Sequence, residues 1–180
     1  MTILVDMDDT IEQLLKAWLC RVNEKYGYSV TLDQITDWNV AAPYPDLTHR
    51  QVYDVLDERG FWKTVEPILG AAEALKHFME RGHDVYIVTA SQLEHLQEKM
   101  NDVLFRYFPF LTWNQVIITG KKQLIRGDVL IDDGIHNLEG GAYRKILFTA
   151  PHNRSYDAPA HGMIRADSWE DVVAIIDQMA

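Results

Sequence analysis

The chain has 180 residues, enough for one domain with a full core or for a core carrying a modest insertion, but not for two independent domains. With 47% hydrophobic and 24% charged residues and no apolar run near the roughly 20 residues of a membrane span, it reads as an ordinary soluble globular protein without a membrane segment. A formal net charge of -10 argues against gripping a nucleic-acid polymer, which takes clustered Lys and Arg, but leaves small anions open if a metal intervenes.

Met1 to Val5 run directly into an acidic cluster without the basic start and long apolar stretch of a secretory signal, so the expected location is the cytoplasm. Ile3-Leu4-Val5 predicts a short buried strand feeding the loop Asp6-Met7-Asp8-Asp9-Thr10. From Ile11 the apolar positions Ile11, Leu14, Leu15, Trp18, Leu19 and Val22 mark one face of a helix, which Gly27 is placed to stop. Cys20, the one cysteine, excludes an internal disulfide, and its place in that helical pattern predicts a buried structural thiol.

Residues 29 to 48 are irregular, with Pro43 and Pro45 set against any helix; Thr48 then offers an N-cap to a helix carrying Val52, Val55 and Leu56 and closing near Gly60. This stretch reads as an inserted cap. A helix from about Ala71 to Glu80 buries Leu75, Phe78 and Met79, and Arg81-Gly82 ends it ahead of a strand over Val85 to Thr89. Ser91 and Glu94 form a capping-box pattern for a helix with the stripe Leu93, Leu96, Met100, Val103, Leu104 and Tyr107, closed by Pro109. Val116 to Ile118, Val129 to Ile131 and Ile146 to Phe148 are three more apolar runs, and Ser168 with Asp171 opens a last helix. Alternating strands and helices predict an α/β fold of the doubly wound, Rossmann-like kind, with a mostly parallel sheet covered on both faces.

Asp6 and Asp8 lie two apart beyond the first strand, so extended backbone turns both carboxylates to one side and Met7 to the other. Such a pair can divide the work between nucleophile or metal ligand and general acid and base. Asp132-Asp133, followed by Gly134, also leaves the end of an apolar strand, and parallel strands bring such ends to one edge. Four carboxylates there repel one another unless a hard divalent cation is bound, and an oxygen-only ligand set favours Mg2+ over zinc. Thr89 and Lys122, each just beyond a strand, supply the hydroxyl and the ammonium that a phosphate's oxygens accept. Singly, each pair reads equally well as an acidic turn, and Thr89 or Lys122 as a strand-end or solvated residue; the shared placement singles them out.

In this order, Asp6-Met7-Asp8-Asp9-Thr10, Ile87-Val88-Thr89, Lys122 and Asp132-Asp133 resemble the four motifs of the haloacid dehalogenase superfamily of phosphatases, across nearly the whole chain. More narrowly, Gly60-Phe61-Trp62 with Pro67 and Gly70-Ala71, the interval from Lys122 to Asp132, and Gly127 to Asp133 are similar to the 5'(3')-deoxyribonucleotidases, as is Phe108-Pro109-Phe110-Leu111 to their bacterial members. The resemblance implies a catalytic core of residues 1–10 and 68–180 with a helical cap, 11–67, inserted after the first strand. It implies that Asp6 attacks phosphorus to give a phosphoaspartate, that Asp8 protonates the leaving hydroxyl and later activates water, and that Thr89 and Lys122 bind phosphate. Mg2+ would be held by Asp6, the Asp8 carbonyl and the second acidic pair, where family members favour Asp133 as direct ligand with Asp132 in support and the sequence leaves the choice between the two neighbours open. Lys122 rather than Lys121 matches by its spacing to Asp132. The implied substrate is a (deoxy)ribonucleoside 5'- or 3'-monophosphate, with another small phosphomonoester such as a sugar phosphate as the alternative. A homodimer is left open.

The sequence departs from that pattern twice: Ala90 follows the threonine where animal members have serine, with Ser91 next, and Asp9 stands where many members have glycine. Trp18, Trp38, Tyr53, Phe61 and Trp62 fall in or near the cap, where the family places aromatics around a nucleobase; Trp38 and Phe61 are the candidates for the base pocket. The histidines lack the paired helical spacing of a zinc hydrolase and read as core or surface residues. A signalling receiver domain would place its phosphorylated Asp at a middle strand and its Lys last, whereas acids here open and close the series. A binding protein on a decayed phosphatase scaffold would be marked by loss of Asp6 or Asp8, and both are present.

Overall fold

Six short strands form one sheet in the computed structural model, which describes residues 1–179. They are β1 (Thr2–Val5), β2 (Asp84–Thr89), β3 (Val116–Ile118), β4 (Val129–Asp132), β5 (Arg144–Phe148) and β6 (Ile164–Ala166). All neighbours pair in parallel, in the order β3-β2-β1-β4-β5-β6. The chain winds outward from β1 in one direction, then returns to β4 and winds outward in the other, so β1 and β4 flank the point where the order reverses. In doubly wound sheets the crevice beyond the strand ends at that point is where ligands bind.

Register explains why the strands are apolar on both sides. Ile3 lies beside Val85 and Val129, and these belong to one apolar cluster; Leu4 lies beside Tyr86 and Leu130, which belong to a second. Helices α1 (Leu14–Tyr26), α3 (Ala71–Glu80) and α7 (Trp169–Met179) contribute Val22, Phe78 and Ile176 to the first cluster, together with Val52 from α2 (His49–Tyr53). The second cluster is completed by Leu138 of α6 (Ile135–Leu138), Tyr143, Ala158 and Met163.

The predicted elements recur with instructive differences. Gly27 closes α1 in the left-handed conformation at φ 74°, where a Cβ would be strained. The helix starts at Leu14 rather than Ile11, because residues 8 to 13 form a loop in which Asp8 and Glu12, and Glu12 and Pro67, make single bridges. Cys20 is exposed, not buried: it lies beside the stripe of Leu15, Trp18, Leu19 and Val22, and one residue rotates a side chain by about 100°. Thr48 caps α2, its Oγ1 accepting from Gln51 N at 3.2 Å, but the helix tightens into a turn at Asp54–Asp57 before Gly60.

The single helix predicted from Ser91 is three pieces: α4 (Leu93–Glu98), a π-helical stretch Lys99–Leu104, and α5 (Phe105–Tyr107). Ser91 does not cap it. Gln92 stands at the cap position, leaving Ser91 one residue outside, and Leu93 is 82% exposed instead of joining the stripe. At α7 the capping pair holds, with Ser168 Oγ accepting from Asp171 N at 3.1 Å. Strand β6 went unpredicted because Ile-Arg-Ala offers no apolar run. Among the described residues no helix is long and apolar enough to cross a membrane.

Candidate active site

The loop after β1 is shaped by one carbonyl. Asp6 N donates to Ile131 O of β4 at 2.9 Å, prolonging the sheet by one residue, and the amides of Thr10 and Ile11 then both turn back to Met7 O at 3.3 and 3.0 Å. Met7 is buried on one side while Asp6 and Asp8 emerge on the other, as the two-residue spacing predicts. Asp9 takes φ +50°, a conformation costly for most side chains and tolerated by Asp, and its carboxylate accepts from Leu15 N at 3.0 Å in the first turn of α1. It thereby caps the helix from the preceding loop, and it also lines the cavity over the site.

Asp6, Asp132 and Asp133 are buried, and one carboxylate oxygen from each lies within 4.8 Å of the others. Lys122, in a short turn between β3 and β4, donates to Asp6 Oδ1 and, at 2.7 Å, to Asp132 Oδ2. The other Asp132 oxygen accepts from Gly134 N at 2.8 Å and Asn137 Nδ2 at 3.0 Å, so this carboxylate is fully engaged by protein groups. Asp133 is freer. Its Oδ2 stands 3.0 Å from His152 Nε2 without hydrogen-bond alignment, while its main-chain carbonyl accepts from Asn153 Nδ2 at 2.9 Å.

Burial pushes the Asp6 carboxyl up to about 7; Lys122 draws it back, while Asp132 and Asp8 add to the rise. Burial, then Asp6 and Asp132, hold Asp133 well above the ordinary carboxylate range. Lys122 goes the other way: burial disfavours its charge, but Asp6 and Asp132 outweigh it and keep it firmly protonated. Three crowded carboxylates with one ammonium among them are short of positive charge, and an all-oxygen donor set of this size suits a hard divalent cation.

Asp8 has its own partners. Lys99 Nζ donates to Asp8 Oδ2 at 2.6 Å and to Thr89 Oγ1 at 3.1 Å, which engages the Thr89 hydroxyl at the end of β2. On the other side lies Glu12, fully buried, with neither carboxylate oxygen met by a conventional donor; Asp8 Oδ1 is likewise unmet. Burial and then Asp8 push Glu12 well above its ordinary range, which favours its neutral form beside Asp8. Burial works to raise Asp8 as well, but Lys99 and the Glu12 hydrogen bond overcome it and hold Asp8 below its usual value.

A cavity of about 340 Å³ opens over these groups, within the size range of small-molecule sites. Asp6, Asp8, Asp133, Lys99 and Lys122 line it, with the aromatics Trp18, Trp38, Tyr53 and Trp62. Trp38, 48% exposed, lies with its ring centroid 4.2 Å from that of His152 and 5.1 Å from that of His136. Phe61 is packed edge-on against Trp62 in the core and does not line the cavity. His95, His136 and His152 line it as well, and burial lowers the last two below the usual histidine range. Ala90, Ser91 and Gln92 complete the wall after β2.

Sequence reasoning missed Lys99 and Glu12. Lys99 lies three residues after Leu96 and four before Val103, on the apolar stripe itself, and a lysine in such a place is the available signal. Glu12 gave none, since an acid at the start of a helix pattern is ordinary.

Acids on the carboxyl edge of a doubly wound parallel sheet, opening and closing the series with a lysine between them, are the arrangement of the haloacid dehalogenase type of hydrolase. A HAD family hydrolase from Deinococcus radiodurans R1, solved with bound phosphate and sodium, superposes with a TM-score of 0.69 over 98% of this chain and 95% of that one, at 18% identity. A conserved haloacid dehalogenase-like protein from Agrobacterium tumefaciens gives 0.65 over 99% and 98%, at 16% identity, so the fold is shared. The model of the family "5' nucleotidase, deoxy (Pyrimidine), cytosolic type C" matches residues 1–180, and the chain belongs to that family. The 5'(3')-deoxyribonucleotidase of Bacillus subtilis is 34% identical over 172 residues, covering 94% of this chain and 95% of that one; its namesake in Clostridium acetobutylicum is 29% identical over 180 residues, covering 99% and 96%. The protein is a hydrolase of the phosphatase kind.

Proposed function

We propose that the protein removes phosphate from (deoxy)ribonucleoside 5'- or 3'-monophosphates through a phosphoaspartate on Asp6. The observation that carries the reading is the meeting of Asp6, Asp8, Lys122 and Asp133 in a single aromatic-walled cavity. Asp6 attacks phosphorus, the bond to the leaving oxygen breaks, and Asp8 delivers a proton to that oxygen; Asp8 then takes a proton from the water that opens the phosphoaspartate. Lys122, and in this reading the Thr89 hydroxyl, face the phosphoryl oxygens, and Lys122 offsets the charge that builds on them.

Mg2+ would be held by Asp6, the Asp8 carbonyl and Asp133, and would supply the positive charge that lets an ionised carboxylate approach a phosphate. Asp133 is the better direct ligand, because Asp132 already accepts from Lys122, Gly134 N and Asn137. Residues 11–67 act as the cap, with Trp38 and Trp62 nearest the base, and Phe61 supporting Trp62.

The test is inorganic phosphate release from a panel of 5' and 3' nucleotides and sugar phosphates, with Mg2+ and with chelator, beside Asp6→Asn. Metal-dependent release led by nucleotides, and abolished in the variant, is expected. Release led by sugar phosphates would retain the chemistry and replace the substrate, and an active Asp6→Asn protein would overturn the mechanism.

A further inference from the structure

Lys99 and Lys122 are the two buried lysines among the described residues. Lys122 belongs to the phosphate and carboxylate centre, whereas Lys99, only 1% exposed, is turned to the opposite carboxylate: it donates to Asp8 Oδ2 at 2.6 Å and Thr89 Oγ1 at 3.1 Å, and sits 5.2 Å from the centroid of the Trp62 ring. Removing an ammonium from water is costly, and the Asp8 carboxylate and the Thr89 hydroxyl are the groups that offset that cost. The side chain of Asp8 remains 32% open to the cavity, so the lysine is the fixed member of the pair and the carboxylate the working one.

Two features of the backbone set Lys99 in place. The helix widens into its π-helical stretch at Lys99, and such irregular turns recur at functional sites. Immediately before it, Glu98 Oε2 accepts from Gly60 N at 3.1 Å and His95 Nε2 lies 2.5 Å from Asp57 Oδ1, tying the same helix to the segment that carries Trp62.

We propose that Lys99 is a positioning residue for proton transfer: the chain Thr89–Lys99–Asp8 holds Asp8 Oδ2 in the orientation from which it protonates the leaving oxygen of the ester. Lys99 keeps its own proton throughout. Asp8 enters this step with the proton it took from water in the preceding turnover, and that proton goes to the leaving oxygen as its bond to phosphorus breaks and the bond from Asp6 forms. This rests on the phosphatase reading above.

Leaving-group dependence tests it, because an alkoxide needs a proton to depart and a nitrophenolate does not. The quantity to compare is kcat/KM for a deoxynucleoside monophosphate and for p-nitrophenyl phosphate, which reports steps only up to the first irreversible one and so excludes opening of the phosphoaspartate. Lys99→Met is expected to lose ~100-fold or more on the nucleotide, in kcat rather than KM, and less than about tenfold on the nitrophenyl ester. Lys99→Arg is expected to recover part of the nucleotide rate, and Lys99→Gln gives the same comparison if Lys99→Met does not fold. Equal losses on both esters would make Lys99 a phosphate-binding or purely structural residue and overturn the inference, as would no loss on either. A wild-type protein inactive on both would sink the phosphatase reading and this inference with it, a result distinct from an active wild type with unselective Lys99 variants.

Discussion

At the level of single residues, neighbouring carboxylates with the same chemistry are divided by what else they touch. Asp132 is satisfied by a lysine, an amide and a main-chain N–H, whereas Asp133 and Asp6 are buried among like charges. That difference has a consequence for stability. The Asp6 carboxyl, at about 7 in the folded chain, lies above its ordinary 3.8, so between those values the folded state holds a proton that the unfolded state has lost. Stability from this group is complete below about 3.8 and drains away as pH rises through about 7. In chelator, the melting temperature of Asp6→Asn should therefore gain on the wild type as pH is raised from about 5 to about 8. Added Mg2+ should close the gap by raising the wild type alone, since a metal binds the ionised form. A gap that stays constant with pH would show that Asp6 is an ordinary carboxylate.

At the level of elements, what the sequence conveyed was the part written in local pattern. Continuous apolar runs located five of six strands, and the placement of Asp6, Lys122 and Asp132-Asp133 near strand ends matches their meeting in the structure, whereas Thr89 is fully buried, meets Lys99 and does not line the cavity. What stayed hidden depends on contacts distant in the chain. The widening begins at Lys99, whose ammonium meets Asp8 from 91 residues earlier, and no window of neighbouring residues contains that partner. Besides its backbone pairing with β5, strand β6 is held by its central Arg165, whose guanidinium donates to Thr149 Oγ1, Asn153 Oδ1, Asn153 O and Tyr156 O at 2.6 to 3.2 Å. Asn153 in turn donates to the Asp133 and Phe148 carbonyls, so an edge strand without an apolar run braces the acidic end of β4. Arg165→Met is expected to destabilise the fold by ~2–3 kcal/mol, the range for hydrogen bonds to a charged donor, and to weaken Mg2+ binding measured by calorimetry. A destabilised variant with unchanged metal affinity would separate the edge strand from the site.

At the level of the whole molecule, the cavity is closed by groups from both sides of the loop that carries Asp6. Asp57 and Gly60 meet α4, Trp38 meets His136 and His152, and Asp33 pairs with Arg154 at 2.9 Å, so the segment between β1 and α3 is tied down around the opening. Five carboxylates and two lysines line the interior, a balance that a bound divalent cation would bring close to neutral. Beyond it, the formal charge of -10 sets the field that an approaching phosphate dianion meets. Screening reaches about 30 Å at 0.01 M salt and about 10 Å at 0.1 M, so added salt should silence that distant repulsion while leaving contacts within the cavity largely intact. With Mg2+ kept saturating, kcat/KM for a nucleoside monophosphate is therefore expected to rise a few-fold between those two salt concentrations. A fall would mean that the lysines and the metal already project a positive field through the opening, and that the acidic exterior has no hold on how fast substrate arrives.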